Sequence, residues 1–115
     1  MTNTRTGSQR IVDERARQIA QEGWTPEHDD EHTDGELALV GALYATPVRL
    51  FAKTRDSEWE VRLADPWPDS WSTEWDKRID QRVRMAGGPN RIRELEKAGA
   101  LIAAEIDRLL RKAKP

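Results

Sequence analysis

The residues best suited to chemistry lie close together in the chain: His28, Asp29, Asp30, Glu31 and His32, with Glu36 following. Imidazole nitrogen and carboxylate oxygen both ligate zinc, manganese or iron. A metal held by His28, Asp29, His32 and Glu36 would make a bound water nucleophilic at neutral pH. The spacing does not single out that use. His28 and His32 lack the His-Glu-x-x-His order of a zinc protease, and Pro26 points to a loop. In a loop, Asp and His side chains also serve simply to bond their own backbone and the next helix start.

Tryptophan is the second resource, with five against one tyrosine and one phenylalanine. Trp24, Trp67, Trp71 and Trp75 can fill a core, the commoner fate of aromatic residues at helical spacing. An indole can also lend its face to a planar ligand and its N–H to an oxygen, with Trp67 and Pro68 forming a lip beside a loop. Arg10, Arg15, Arg17 and Lys97 are candidate phosphate contacts, and equally ordinary surface charges. Other routes to chemistry are weak. Gly87, Gly88, Pro89 and Asn90 lack the lysine of a phosphate loop and the spacing of a dinucleotide fingerprint. Ser57, Ser70 and Ser72 have no nucleophile-elbow context. Arg91, Arg93, Glu94 and Glu96 read as a solvated helix face. No catalytic residue is assigned, and no cofactor is called for.

These groups must be positioned by a single domain. A chain of 115 residues suits one core; the expected domain is 8–112, after a polar and disordered lead-in over 1–7. Charged residues make up 35% of the chain yet nearly cancel to a net −2. No global field then draws it to nucleic acid or to an anionic membrane. The absence of cysteine removes disulfides, thiolate metal sites and thiol nucleophiles, and suits a cytoplasmic location. The longest apolar run, Leu37 to Ala45, falls short of the roughly 20 residues that span a bilayer, and Met1 to Gly7 carries no apolar signal segment.

The expected fold is mainly α: a compact bundle of about four helices with a small β-hairpin between the second and third. Ser8 is a suitable N-cap for a first helix to about Gln21, with Ile11, Val12, Ala16, Ile19 and Ala20 on its buried face. Gly23 and Trp24 would close it in a Schellman motif, Trp24 folding back on Ile19. After a loop over Thr25 to Glu31, Thr33 and Glu36 have capping-box spacing for a second helix, Asp34 to Ala45, apolar almost all round. Alternation over Val48 to Lys53 and Trp59 to Leu63 argues for a hairpin linked through Thr54 to Ser57, packed on the helices; a helix begun by Pro47 is the rival. A third helix is expected over Asp69 to Met85, with Trp71, Trp75, Ile79 and Arg82 on one side. Asn90 should cap the last, Arg91 to Lys112, whose Ile92, Leu95, Gly99, Ile102, Ile106 and Leu109 form its stripe. Gly41 and Gly99 each cost about 1 kcal/mol inside a helix relative to alanine. Close approach of the second and last helices would explain both.

Two stretches resemble a family of small phage and prophage proteins. The first runs through Glu14, Arg15, Arg17 and Gln18 to Glu22, Gly23, Trp24, Thr25, Glu27, His28, Asp29, Asp30 and His32, then Gly35, Glu36, Leu37 and Ala38. The second is Lys97 to Ile102, then Ala104, Glu105, Ile106, Arg108 and Leu109. Together they cover about half the chain. A Trp-Pro segment between them, here Pro66, Trp67, Pro68 and Trp71, is also similar, whereas Ile79 to Asn90 looks like an insertion. Small phage proteins of this kind include inhibitors that sequester nucleotide immune signals, such as ADP-ribose derivatives made by bacterial TIR enzymes. A fainter similarity, through Gly23, Trp24, Asp29, Asp30 and His32, is to the repeat domain of ryanodine receptors.

The resemblance and the residues together imply a phage-encoded protein that binds and sequesters a nucleotide-derived signal. The expected ligand residues are Arg15, Trp24, His28, Asp29, Asp30, His32, Glu36, Trp67, Trp71 and Lys97. Carboxylates would take ribose hydroxyls, tryptophans the base, and Arg15 or Lys97 the pyrophosphate. The alternatives are a metal-dependent nucleotide or phosphoester hydrolase and a phage protein whose tryptophans grip a host protein. The expected partner is the small nucleotide-derived ligand, with neither nucleic acid nor membrane; a homo-oligomer is compatible with the pattern.

Overall fold

The computed structural model describes residues 5–55 and 57–114; the expectation of disorder for residues 1–4 lies outside them. Helix α1 (Gly7–Glu22) is capped at Thr6, not Ser8. Thr6 accepts from the Gln9 N–H while the Gln9 side chain accepts from the Thr6 N–H. This reciprocal box satisfies two free donors, whereas Ser8, with Ile11 at the matching position, offers only one. Gly23 ends the helix at φ 71°, the left-handed region that suits a residue without Cβ. The N–H groups of Gly23 and Trp24 both reach the Gln18 carbonyl, a wider closure than a Schellman motif on Ile19. Ile19 is exposed, and Trp24 packs on His28, Trp71 and Trp75 instead.

The stretch expected as a loop contains a short helix, α2 (Pro26–Asp29), because Thr25 accepts from the His28 N–H and Pro26 sits at N1. Helix α3 (Glu36–Ala45) follows a left-handed Gly35, φ 79°. That turn starts the helix later than a Thr33 cap requires, so the expected Thr33–Glu36 box is replaced by Glu36 accepting from the Asp34 N–H at 2.5 Å.

Strands β1 (Ala52–Arg55) and β2 (Val61–Ala64) pair antiparallel, Ala52 opposite Ala64 and Arg55 opposite Val61. They form the expected hairpin between the second long helix and the next, and no helix starts at Pro47. The hairpin does not pack on the helices as expected: Phe51, Val61 and Leu63 are exposed and Trp59 is 86% exposed.

The continuous helix expected over 69–85 is broken into a 3-10 turn (Thr73–Trp75) and helix α4 (Gln81–Ala86). Side chains explain the break. Ser72 accepts from the Glu74 N–H, Asp76 from the Arg78 N–H and Asp80 from the Arg82 N–H. Such local bonds offer the backbone an alternative to the helical ladder. Helix α5 (Pro89–Ala113) starts after Gly88, φ 90°, with Pro89 at N1, so Asn90 lies inside the helix and is not its cap. Among the described residues the fold is mainly helical, with five α-helices and one hairpin.

Helix α5 is central, with α3 and α1 packed along it and α2 and α4 against its ends. The core joins Leu37, Val40 and Tyr44 of α3 to Ala98, Leu101 and Ala104 of α5 and to Trp71. Small residues let the helices approach: a Cβ at Gly41 would lie 3.1 Å from Ile102 Cγ1 and 3.3 Å from the Ala98 carbonyl oxygen. Gly99 does not face Gly41. It receives Ile11 of α1, whose Cδ1 would be 2.5 Å from a Cβ there.

Two helices turn unexpected faces inward. On α1 the buried residues are Glu14 and Gln18, while Val12 is exposed. On α5 the apolar stripe is half exposed, and the core side is Ala98, Ala100, Leu101 and Ala104 with Glu94, Glu105 and Arg108. Glu94, expected on a solvated face, is a buried hub. Its carboxylate accepts from Arg84 at 2.7 and 2.9 Å, from Arg91 at 3.0 Å and from the Ile79 N–H at 3.0 Å. Arg84 also donates to the Thr46 carbonyl and Arg91 to those of Tyr44 and Ala45. The free carbonyls at the end of α3 are thus capped from α4 and α5.

Candidate functional site

The loop residues singled out by sequence are divided among separate partners. Arg15 donates to the carboxylate of Asp29, which is 1% exposed, and to the Trp24 carbonyl at 3.1 Å. This ties α1 to the Gly23 turn and to α2. Asp30 points elsewhere, accepting from Arg111 at 2.7 Å near the end of α5. His32 Nδ1 lies 3.2 Å from Glu36 Oε2. Burial alone would raise the Glu36 pKa, but hydrogen bonds from backbone N–H groups and His32 outweigh it and hold the carboxyl below its ordinary value. The four residues proposed as metal ligands do not converge: among the described residues, no group of three or more His, Asp or Glu side chains is placed to hold an ion.

Aromatic rings form one continuous cluster over α3 and α5. Trp24 stacks on His28 and meets Trp71 and Trp75 edge-on. His28 and His32 lie edge-to-face at 4.9 Å, and His32 lies 5.1 Å from Trp71. Trp67 meets Tyr44 and Trp71 edge-on and carries the Arg78 guanidinium 5.1 Å above its ring. Trp71 is buried in the core. The indole N–H groups of Trp67 and Trp71, His28 Nδ1 and His32 Nε2 are buried without a hydrogen-bond partner, which marks the inner side of the cluster as polar and unsatisfied.

A cleft with about 80 Å³ of enclosed room, partly open to solvent, lies on the side of this cluster facing α1. Trp24, Trp75 and Tyr44 form its aromatic walls and Leu101 its apolar floor. Gln18, Glu14, Arg17, Glu22, Glu74, Lys77 and Lys97 supply its polar lining. Its enclosed room is smaller than the roughly 300–1,000 Å³ of small-ligand sites, while apolar walls with a few polar groups are their usual build. Tyr44 fixes the far rim by donating to the Trp75 carbonyl at 3.3 Å and accepting from the Lys77 N–H at 2.9 Å. Burial pushes its phenol pKa up.

Two groups in this cleft are not satisfied by the protein. Gln18 is almost fully buried; its amide N–H donates to Glu14 at 3.2 Å, while Oε1 has no donor. Lys97 lies 5.9 Å over the Tyr44 ring, and no carboxylate among the described residues pairs with it. Burial, reinforced by Arg93, holds its pKa below the ordinary lysine value. Glu14 and Arg17 are occupied with each other. For Glu14, burial would raise the pKa, yet hydrogen bonds from Arg17 and Arg93 prevail and keep it below the ordinary value.

Of the ten ligand residues expected from sequence, the cleft brings together Trp24 and Lys97. Arg15, Asp29, His32 and Glu36 form the scaffold behind Trp24, His28 packs beneath it, Asp30 lies with Arg111, and Trp67 and Trp71 back the wall. Gln18, Tyr44 and Trp75 are additions. Their signal was faint: a glutamine on an amphipathic helix, a tyrosine within an apolar one, and a tryptophan assigned to an unbroken helix. Comparison with protein-family models, with curated proteins and with solved structures gives no match to this chain.

Proposed function

We propose that this protein binds and holds a small nucleotide-derived ligand of the ADP-ribose type in the cleft between α1 and the Trp24–Trp75–Tyr44 wall. The observation that carries this reading is the pairing, in one cleft, of aromatic faces with an unpaired half-buried cation, Lys97, and an unsatisfied acceptor, Gln18 Oε1. A base or other planar group stacks against Trp24 or Trp75, Lys97 takes a phosphate oxygen, and Gln18 Oε1 accepts from a ligand N–H or O–H. The cleft holds no nucleophile and base in hydrogen-bonded sequence among the described residues, so binding without turnover is the simpler reading. Small phage proteins of this kind include inhibitors that silence an immune signal made by a TIR enzyme in this way, and the same role is proposed for this chain.

Calorimetric titration with adenine nucleotides and ADP-ribose isomers tests it, with mass spectrometry of any small molecule released on denaturation. Saturable heat with intact ligand recovered supports the reading. No heat with any of them, from folded protein, ends it. A second reading rests on the hairpin, whose Trp59 and Phe51 are exposed as an interaction hot spot would be. A host protein retained by the wild type and lost by Trp59→Ala would favour it.

A further inference from the structure

Lys97 stands apart from the other lysines of the chain. Lys53, Lys77, Lys112 and Lys114 are exposed, whereas Lys97 is half-buried and lines the cleft beside α1. Its Nζ lies 5.9 Å over the Tyr44 ring and makes no hydrogen bond or ion pair with any described residue. The nearby carboxylates are engaged elsewhere, Glu14 with Arg17 and Arg93, and Glu22 with Arg17. Glu74 and Lys77, the other charged groups of the lining, do not pair with it either. A lysine attacks only as the free amine, and it is activated by desolvation in an apolar pocket or by a neighbouring cation. Both conditions hold here. Burial first, then Arg93, with Arg17 adding, disfavour the ammonium and outweigh Glu14 and Glu22. With no carboxylate bound to it, the nitrogen is left open to a carbonyl carbon.

We propose that Lys97 is an acylation site whose donor is a small acyl phosphate, an inference that rests on the cleft being a phosphate site. The donor's phosphate group takes the place of the ligand's phosphate, which brings its acyl carbon to Nζ. The amine attacks that carbon. A C–N bond forms, the C–O bond to phosphate breaks, and the electron pair and the amine proton leave with inorganic phosphate. No oxidant or further reactant is needed. Room of about 80 Å³, only partly open, selects a small donor over the active site of a transferring enzyme. The product is a neutral amide, since acylation removes the charge of a lysine. Acylation therefore closes the cleft to an anionic ligand, and capture becomes sensitive to the supply of acyl phosphate.

Treating the folded, ligand-free wild type with acetyl phosphate, and following each lysine by peptide mass spectrometry, tests the site. Near neutral pH Lys97 should react several times faster than Lys53, Lys77 or Lys112, and inorganic phosphate should slow Lys97 alone. The lead should shrink as pH approaches the ordinary lysine value of 10.5, where exposed amines are also neutral. Lys97 reacting no faster than the exposed lysines overturns the site, and a rate untouched by inorganic phosphate overturns the acyl-phosphate donor. Calorimetry with ADP-ribose before and after treatment reads the consequence for the cleft. Affinity should fall severalfold in the wild type and stay unchanged in Lys97→Arg, which keeps a cation that does not acylate. Equal losses in the two, or no loss in the wild type, overturn the regulatory role. A wild type that never binds ADP-ribose sinks the ligand reading and the regulatory role with it, while the acetylation rates, taken without ligand, still decide the site.

Discussion

Arg15 of α1 donates to the buried carboxylate of Asp29 in α2 and, through the same guanidinium, to the carbonyl of Trp24 between them. One side chain therefore sets the path of the chain from the first helix to the aromatic wall. The first prediction follows from the contrast with the neighbouring aspartate. Asp29→Asn leaves Arg15 short of its counter-charge in a buried setting and should cost about 3 kcal/mol, in the range for breaking buried pairs. Asp30→Asn removes an exposed pair with Arg111 and should stay within about 0.5 kcal/mol. Urea denaturation of the two single variants measures both; equal midpoints would remove Asp29 from its structural role.

Gly99 and Ile11 define the second prediction. Gly99→Leu must displace Ile11 and should destabilise by about 1–3 kcal/mol. In the background Ile11→Ala the same change should cost much less, because the seat is then vacant. Gly41→Leu meets the Ala98 carbonyl, which is backbone and cannot step aside, so Ile11→Ala should give it no relief. A double-mutant cycle reads the coupling directly. Coupling of Gly99 to Gly41 in place of Ile11 would contradict the packing described here.

Acid should unfold the protein through its buried carboxylates. For Glu94, burial tends to raise the pKa, but Arg84, the Ile79 N–H and Arg91 outweigh it and hold the folded value below the ordinary 4.5; Glu14 behaves alike. A depressed folded value means that the unfolded chain takes up protons first. The stabilisation is therefore fully present above the unfolded pKa and is lost as pH falls through the folded one. The urea midpoint should be flat near neutrality and drop steadily below about pH 4.5. Glu94→Gln should be less stable at pH 7 and show a shallower acid slope; a slope identical to the wild type would exclude Glu94 as a source.

The helical class, the hairpin, the glycine after the first helix and the presence of close helix contacts at Gly41 and Gly99 were legible from residue pattern alone. Each depends on local chemistry: period, turn residues, left-handed backbone. What was not legible depends on which face meets which. The stripe on α5 is the stronger apolar signal, yet alanines occupy the core side, because close packing against Gly41 needs small residues more than large ones. The helix expected through Trp75 failed because three side chains, on Ser72, Asp76 and Asp80, captured local backbone donors. The acidic loop was read as a ligand cluster since its partners, Arg15 and Arg111, lie far away in sequence.

Lys97 and the tryptophans separate wall from core. Trp71→Ala should cost about 3–5 kcal/mol, as removal of a buried tryptophan does. Trp75→Ala, on a half-exposed ring, should cost less and still abolish ligand binding. Lys97→Met keeps the aliphatic contact with Tyr44 and removes only the charge, so it should weaken an anionic nucleotide at least tenfold while leaving the fold intact or firmer. The pH dependence gives the sharper check. Burial disfavours the charged form of Lys97, so the folded pKa lies below the unfolded 10.5. On that account folding stability should rise as pH climbs through the folded value, since the penalty for burying the ammonium disappears. Ligand affinity should fall over the same interval, since the ammonium that holds the phosphate is lost. Opposite slopes in the wild type, both absent in Lys97→Met, are the expected result. An affinity that ignores pH across this range in the wild type would mean that Lys97 does not hold the ligand.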